Sequence, residues 1–408
     1  MKILFLQKRP LFPADMGGKI RTLNVLRFLA QWHDVTYLCN VQAGEEAGVE
    51  QMREIGLRVE TVPWIETPRG TWKFYGELAA NLFSPYPYNV DKDFDPQLRR
   101  RAEELLAAEP YDLVVCDFVQ MARNAIGLPA AAKVLFEHNV EAQIFQRHAQ
   151  QDEGWLRRKY MALQWRKMRR FEGDAGREFD AVVAVSRQDK ETYVRDYGWD
   201  HVHVIDTAVD LDFFEPDPAA ETPQRIVFVG SMDWLPNQDG VRHFVERVWP
   251  LILKRCPEAQ FRVVGRNPTP MVEQLGRTPG VEIMGTVPDI RPYLAEAAVA
   301  VVPLLVGGGT RLKIFEAMAM QKAVVSTPLG AEGLDVTSGV DVQLVDAGRE
   351  FADAVVDLLT DDDKRRKMAA AARRLVEENY SAETIARQFE VICRDAVNRE
   401  QTAAGTTS

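Results

Sequence analysis

The sequence predicts an α/β protein made of two doubly wound, parallel-sheet domains. Short runs rich in Val, Ile and Leu alternate with longer helical patterns from end to end, as expected for parallel strands joined by crossover helices. Several of these runs are almost wholly apolar, as strands covered by helices on both faces must be. The length, 408 residues, exceeds one ordinary hydrophobic core and suits two of roughly 200 residues each.

Taken in order, the strands of the first half are read at Lys2–Gln7, Asp34–Cys39, Leu113–Asp117, Lys133–Glu137, Ala181–Ser186 and His203–Asp206. Those of the second half are read at Arg225–Gly230, Gln260–Val264, Val281–Met284, Val299–Pro303, Ala323–Ser326 and Gln343–Val345. Between the sets, Phe213–Gln224 carries three prolines and no apolar periodicity after Phe214, and reads as a linker. Helices over Arg349–Leu359, Asp361–Glu378 and Ala382–Asn398 close the chain, before a small polar tail expected to fray.

Composition excludes several classes. With 46% hydrophobic and 27% charged residues the chain is neither disordered nor fibrous. A net charge of −10 argues against a nucleic-acid partner, which asks for a basic surface. The four cysteines lie far apart with no CxxC pair, pointing to a reducing compartment without disulfides or a zinc site. The N-terminal apolar run is too short for a signal peptide, and the longest apolar stretch, Leu294 to Val306, contains Glu296 and Pro303 and cannot span a bilayer. A cytoplasmic protein is expected, one that can rest on the inner face of the membrane. The basic stretch 155–171, with Trp155 and Trp165, reads either as a lipid-contacting helix or as a solvated basic face.

Open α/β sheets bind ligands at the carboxyl ends of their strands, and two facing domains make a cleft. Gly307, Gly308 and Gly309 follow the strand ending near Pro303 and precede a helix. Glycines there let a ligand approach the backbone, and the helix N-terminus offers free N–H groups. Arg311 and Lys313 add positive charge that an anionic ligand, a pyrophosphate above all, would offset. Glu316, three residues after Lys313, shares its helix face and suits a ribose clamp; the pair also reads as an ordinary surface ion pair. In the first half, Gly17 and Gly18 open a helix with Lys19 and Arg21 in its first turn, either a phosphate-binding start or solvated charge. The absence of GxGxxG spacing argues against a nicotinamide enzyme, and the absence of GxxxxGK[ST] excludes a P-loop kinase. Glu137, His138 and Asn139 stand at the carboxyl end of a strand, where His138 can donate, accept or serve as a base, or be structural. No histidine has a partner at metal-ligand spacing, so no metal is expected.

The run 306–327, VGGGTRLKIFEAMAMQKAVVST, resembles the donor-site signature of glycosyltransferase family 4. Three further runs resemble that family in order: PADMGGKIRTLNVLRFLA (13–30), RIVFVGSMDWLPNQDGV (225–241) and VEIMGTVPDIRPYL (281–294). The resemblance covers essentially the whole chain, with bacterial sugar transferases of exosortase-type exopolysaccharide systems as the nearest subgroup. It implies the GT-B fold, two Rossmann-like domains facing a central cleft. The acceptor-side domain would be 1–212, the linker 213–224, the donor domain 225–380, and 381–400 a helix returning toward the first domain. It further implies retaining transfer from a nucleoside diphosphate sugar to a glycan or lipid-linked glycan, without a cofactor. His138, Arg311, Lys313 and Glu316 would carry catalysis. Substrate would be held by Gly17, Gly18, Arg21, Gly230, Ser231, Gly285, Thr286, Val287, Gly307, Gly308, Gly309 and Thr310.

Three positions depart from the family pattern. Gly308 stands where a first glutamate is usual, and Ser231 and Asn237 stand where an arginine and a lysine are usual. Arg311 and Lys313 are expected to restore the charge. An epimerase of the same fold and an inactive nucleotide-sugar-binding subunit stay open as alternatives.

Overall fold

The computed structural model describes residues 1–14, 17–151, 154–232, 234–306 and 312–405. The chain folds into two units, one of Met1–Asp206 with Ile385–Ser408 and a second of Thr207–Thr384.

The first unit holds a seven-stranded sheet: β1 Lys2–Gln7, β2 Asp34–Val41, β3 Arg58–Pro63, β4 Leu113–Asp117, β5 Lys133–Phe136, β6 Ala181–Ala184 and β7 Val202–Val204. The second holds β8 Arg225–Val229, β9 Gln260–Val264, β10 Val281–Gly285, β11 Val299–Val302, β12 Ala323–Ser326 and β13 Gln343–Leu344. The orders are β3-β2-β1-β4-β5-β6-β7 and β10-β9-β8-β11-β12-β13, and each named pairing is parallel. Both sheets are thus doubly wound and reverse direction between their first and fourth strands, the crevice where such sheets bind ligands. Ile3, Leu4, Phe5 and Leu6 of β1 are fully buried, which is why that run reads as continuous rather than alternating.

One strand is missing from the sequence reading altogether. β3 is an edge strand paired only to β2, and only Val59 and Val62 within it are buried. Its exposed side carries Glu60, bridged by Arg58 at 3.3 Å and Arg101 at 2.9 Å; charge on an edge blocks pairing with another chain.

The segment 213–224 is a correction. It does not hang as a free linker but is fastened within the second unit. Phe214 is buried and its carbonyl accepts from Arg373 at 3.0 Å, while Arg291 lies 3.9 Å over the Phe213 ring. Glu221 pairs with Arg365 at 2.9 Å and with the buried Lys322 at 3.4 Å. Ion pairs and two phenyl rings hold it, and neither leaves a periodic signature. Just upstream, the Val209 amide donates to the Tyr380 carbonyl at 2.9 Å.

The final helix, Ala382–Gly405, runs past the Asn398 end predicted for it and includes part of the tail expected to fray. From Ile385 onward it belongs to the first unit, where Phe389 packs on Phe136 at 5.1 Å. His33 bridges the N-terminal amine at 3.1 Å and Glu390 at 2.9 Å. Since Phe389 is wholly buried, Phe389→Ala should cost about 3–5 kcal/mol, read as a lower urea midpoint for the transition that includes the first unit.

Candidate active site

On the second unit the carboxyl ends of three strands converge on glycine. The Gly230 amide donates to the Val264 carbonyl at 2.9 Å and the Gly265 amide to the Gly285 carbonyl at 3.0 Å. A Cβ on Gly265 would stand 1.8 Å from the Gly230 carbonyl oxygen, so no side chain fits there. Gly285 has φ +68°, a left-handed conformation glycine adopts without strain.

Into this turn comes Lys313, from the second residue of the Leu312–Ala319 helix. Its ammonium donates to Asn237 Oδ1 at 2.7 Å and lies 4.5 Å from the Phe228 ring centre. A Cβ on Gly230 would meet Lys313 Nζ at 2.6 Å and Asn237 Nδ2 at 2.8 Å. Asn237 Nδ2 in turn donates to the Ser231 carbonyl at 2.7 Å. The exposed Arg266, directly after Gly265, donates from Nε to Ser231 Oγ at 2.9 Å. The two positions where the family resemblance leads one to expect cations, Ser231 and Asn237, are therefore each met by a cation from elsewhere. Arg266 does not stand out in the sequence. A Gly-Arg pair immediately after a buried strand is the signal that marks it.

Glu316 is half-buried on the same helix as Lys313. Burial pushes its carboxyl up to about 7, against the pull of the Lys313 charge. Thr286, exposed after β10, accepts from the Asn267 amide at 3.4 Å, and Val287 packs on the second core. Gly307, Gly308, Gly309, Thr310 and Arg311 lie outside the described residues.

On the first unit, Asp117 closes β4 and gathers three donors. His138 Nε2 lies 2.7 Å from Oδ1; Thr22 Oγ1 and Gln7 Nε2 donate to Oδ2 at 2.9 and 3.1 Å. With an ionised Asp117, Nε2 must carry its proton. The ring is buried between Phe118 at 4.2 Å and Phe136 at 4.4 Å, and Nδ1 has no partner among the described residues. Phe118 itself has φ +69°, a conformation rare for a bulky residue. A Cβ on Gly18 would stand 2.5 Å from the Phe118 ring, so Gly18 admits that ring, whereas a Cβ on Gly17 would meet nothing. Arg21 is half-buried, and burial lowers its guanidinium to about 10, opposed by Asp189.

Behind His138 lie three buried carboxyls. Burial pushes Glu137 well above the usual range, with Glu172 and Glu141 adding to it. Burial likewise takes Glu141 to about 7 and Glu172 to about 8. Glu172 accepts from the Glu141 amide at 2.7 Å and the Tyr197 hydroxyl at 2.6 Å. All four cysteines are buried thiols without disulfides. Among the described residues no helix is long and apolar enough to cross a membrane.

Comparison with known proteins adds to this geometry. The family model "Glycosyltransferase Family 4" matches residues 17–213, and "Glycosyl transferases group 1" matches 223–361. Between them the two models take in most of the chain, which belongs among the glycosyltransferases built from these two domains. The chain is 21% identical over 391 residues to an uncharacterized 44.6 kDa protein in the cps region of Klebsiella pneumoniae, covering 92% of this chain and 95% of that one. Its fold is that of Anabaena Alr3699/HepE in complex with UDP, at TM-score 0.67 and 14% identity over 97% of this chain and all of that one. A glycosyltransferase from Rickettsia africae matches at TM-score 0.62 and 16% identity, over 97% and 98% of the two chains. The fold is GT-B, in two Rossmann-like parallel-sheet domains.

The buried acids set a pH dependence. Folding raises the Glu172 pKa from its ordinary 4.5 to about 8, so the folded state holds a proton that the unfolded state has lost. Stability should fall as pH rises from about 5 to about 8 and level off above. Glu172→Gln should flatten that slope in thermal melts taken across the window; an unchanged slope would remove Glu172 as its source.

Proposed function

We propose that this glycosyltransferase moves a hexosyl unit from a nucleoside diphosphate sugar to a hydroxyl of a glycan or lipid-linked glycan, with retention. The product would enter exopolysaccharide or other cell-surface glycan synthesis, including systems of the exosortase type. One observation carries the donor assignment: Lys313 and Arg266 converge on the Gly230–Ser231 turn at the reversal point of the second sheet. Support for a uridine nucleotide comes from Anabaena Alr3699/HepE, captured with UDP and with UDP-glucose. The cps-region relative supports a polysaccharide product.

The chemistry places its demand where the anomeric C–O bond to the diphosphate breaks and negative charge develops. Lys313, Arg266 and Arg311, with the amides of Gly230, Ser231 and Gly307–Thr310, would hold that diphosphate. Glu316 would accept from the ribose hydroxyls, and Gly285, Thr286 and Val287 would edge the base. On the first unit, Gly17, Gly18, Arg21 and His138 would serve the sugar and its acceptor. No metal or other cofactor is assigned a part, and the protein would work in the cytoplasm at the membrane face. The glycine at position 308, in place of a usual carboxylate, favours a second reading: a subunit that binds the nucleotide sugar without turning it over.

A thermal-shift panel of UDP, GDP, ADP, TDP and CDP tests the donor site. A ligand at a hundred times its Kd stabilises by about 2.7 kcal/mol. UDP should shift the wild type and fail to shift Glu316→Ala; no shift by any nucleotide would sink the assignment. Glycosyl release from the stabilising nucleotide's sugar then separates the enzyme from the inactive binder. Lys313→Ala and Arg266→Ala should each weaken UDP about 10- to 100-fold, the loss of one charge-assisted contact. The ionised Glu316 carboxyl accepts from both ribose hydroxyls, whereas the protonated acid gives up one of its oxygens as a donor. Wild-type UDP affinity, taken as a ratio to Glu316→Gln, should therefore fall up to about tenfold per pH unit below 7. A pH-independent ratio would remove the ribose role.

A further inference from the structure

Lysine carries a point charge on a flexible four-carbon stem, so the place of the Lys313 ammonium depends on what holds its end. The buried Phe228 ring lies 4.5 Å from it, and Asn237 supplies the directional contact, accepting on Oδ1 at 2.7 Å. Asn237 is only 3% exposed, and both ends of its amide are in use. Nδ2 donates to the Ser231 carbonyl at 2.7 Å. An amide has a donor end and an acceptor end, so the bond to that carbonyl decides which end faces the ammonium. A buried polar group satisfied at both ends is rigid.

The backbone beneath Asn237 is held as closely. Asn237 belongs to the Leu235–His243 helix, and Gly240, three residues on, shares its face. A Cβ on Gly240 would stand 2.8 Å from the Pro303 carbonyl oxygen. Glycine weakens a helix interior; here it seats the helix directly on the end of β11. Gly230 completes the arrangement from below, since an added Cβ would meet Lys313 Nζ at 2.6 Å and Asn237 Nδ2 at 2.8 Å. Two glycines thus make room for one amide and one ammonium side by side.

We infer that Asn237 is a positioning residue of the donor site: it acts through Lys313, holding the ammonium over the Gly230–Ser231 turn where the diphosphate binds. The inference rests on the donor-site reading above and adds a residue to it. The Asn237 amide is neutral, so it directs the cation without cancelling its charge. A carboxylate at the same place would grip the ammonium and neutralise it, and would also set an acceptor against the Ser231 carbonyl. Asn237 therefore governs both where the cation stands and how much of its charge an anion meets.

Calorimetric titration of the full chain with UDP, run as a double-mutant cycle, tests it. Asn237→Leu stays near the shape of the side chain and removes both hydrogen bonds, whereas Asn237→Asp keeps the shape and adds a charge. Asn237→Leu should weaken UDP about tenfold, the misdirection of one charge-assisted contact, and Asn237→Asp at least as much. In a Lys313→Ala background, Asn237→Leu should add less than about twofold, because the two side chains act as one unit. Melting curves without ligand identify the folded variants, and Asn237→Asp carries the test if Asn237→Leu does not fold. Wild-type UDP affinity in either folded variant would overturn the inference. So would an Asn237→Leu effect that multiplies in full with that of Lys313→Ala, the mark of a general loss of packing. Both results leave the donor site standing as long as Lys313→Ala weakens UDP; wild-type affinity in Lys313→Ala would instead bring down the donor reading and this inference with it.

Discussion

The second unit depends on one steric constraint: Gly265 must lack a side chain, because any Cβ would lie 1.8 Å from the Gly230 carbonyl oxygen. That absence lets the ends of β8, β9 and β10 draw together and aim their loops at one place. Gly230, for the same reason, leaves room for the Lys313 ammonium beside Asn237. The proposed diphosphate site rests on this close-packed glycine turn and the two cations directed into it, on backbone geometry first and charge second. Substitution of the loop side chains alters its charge, whereas a methyl at either glycine would alter its shape.

The first unit is organised differently. Its centre is a buried carboxylate, Asp117, holding His138, Thr22 and Gln7, backed by carboxyls that burial keeps near or above neutrality. This is a preorganised polar network rather than an anion site, and it fixes the orientation of the His138 ring through a partner that the sequence places 21 residues upstream. The second unit is prepared for charge; the first is prepared for position.

Much of the fold was legible because buried parallel strands are apolar throughout. β1, β4, β9 and β12 begin and end at the residues their runs predict. β3 was not legible, since an edge strand covered on one side carries Glu60 and Thr61 like a loop. The segment 213–224 looked like a linker because its anchors, Phe214 and Glu221, act through partners far along the chain, Arg373 and Arg365. Of the candidate site residues, Lys313 and Glu316 could be placed on one helix from their spacing alone. Arg266 and the Asp117–His138 contact were not legible, because each depends on which strand ends lie side by side.

Hydrogen–deuterium exchange of the chain with and without UDP tests the central claim most directly. If the glycine turn and its two cations hold the diphosphate, UDP should slow exchange in peptides spanning 228–238, 264–268, 284–288 and 304–317. Protection confined to other segments, with these four unchanged at saturating UDP, would contradict it.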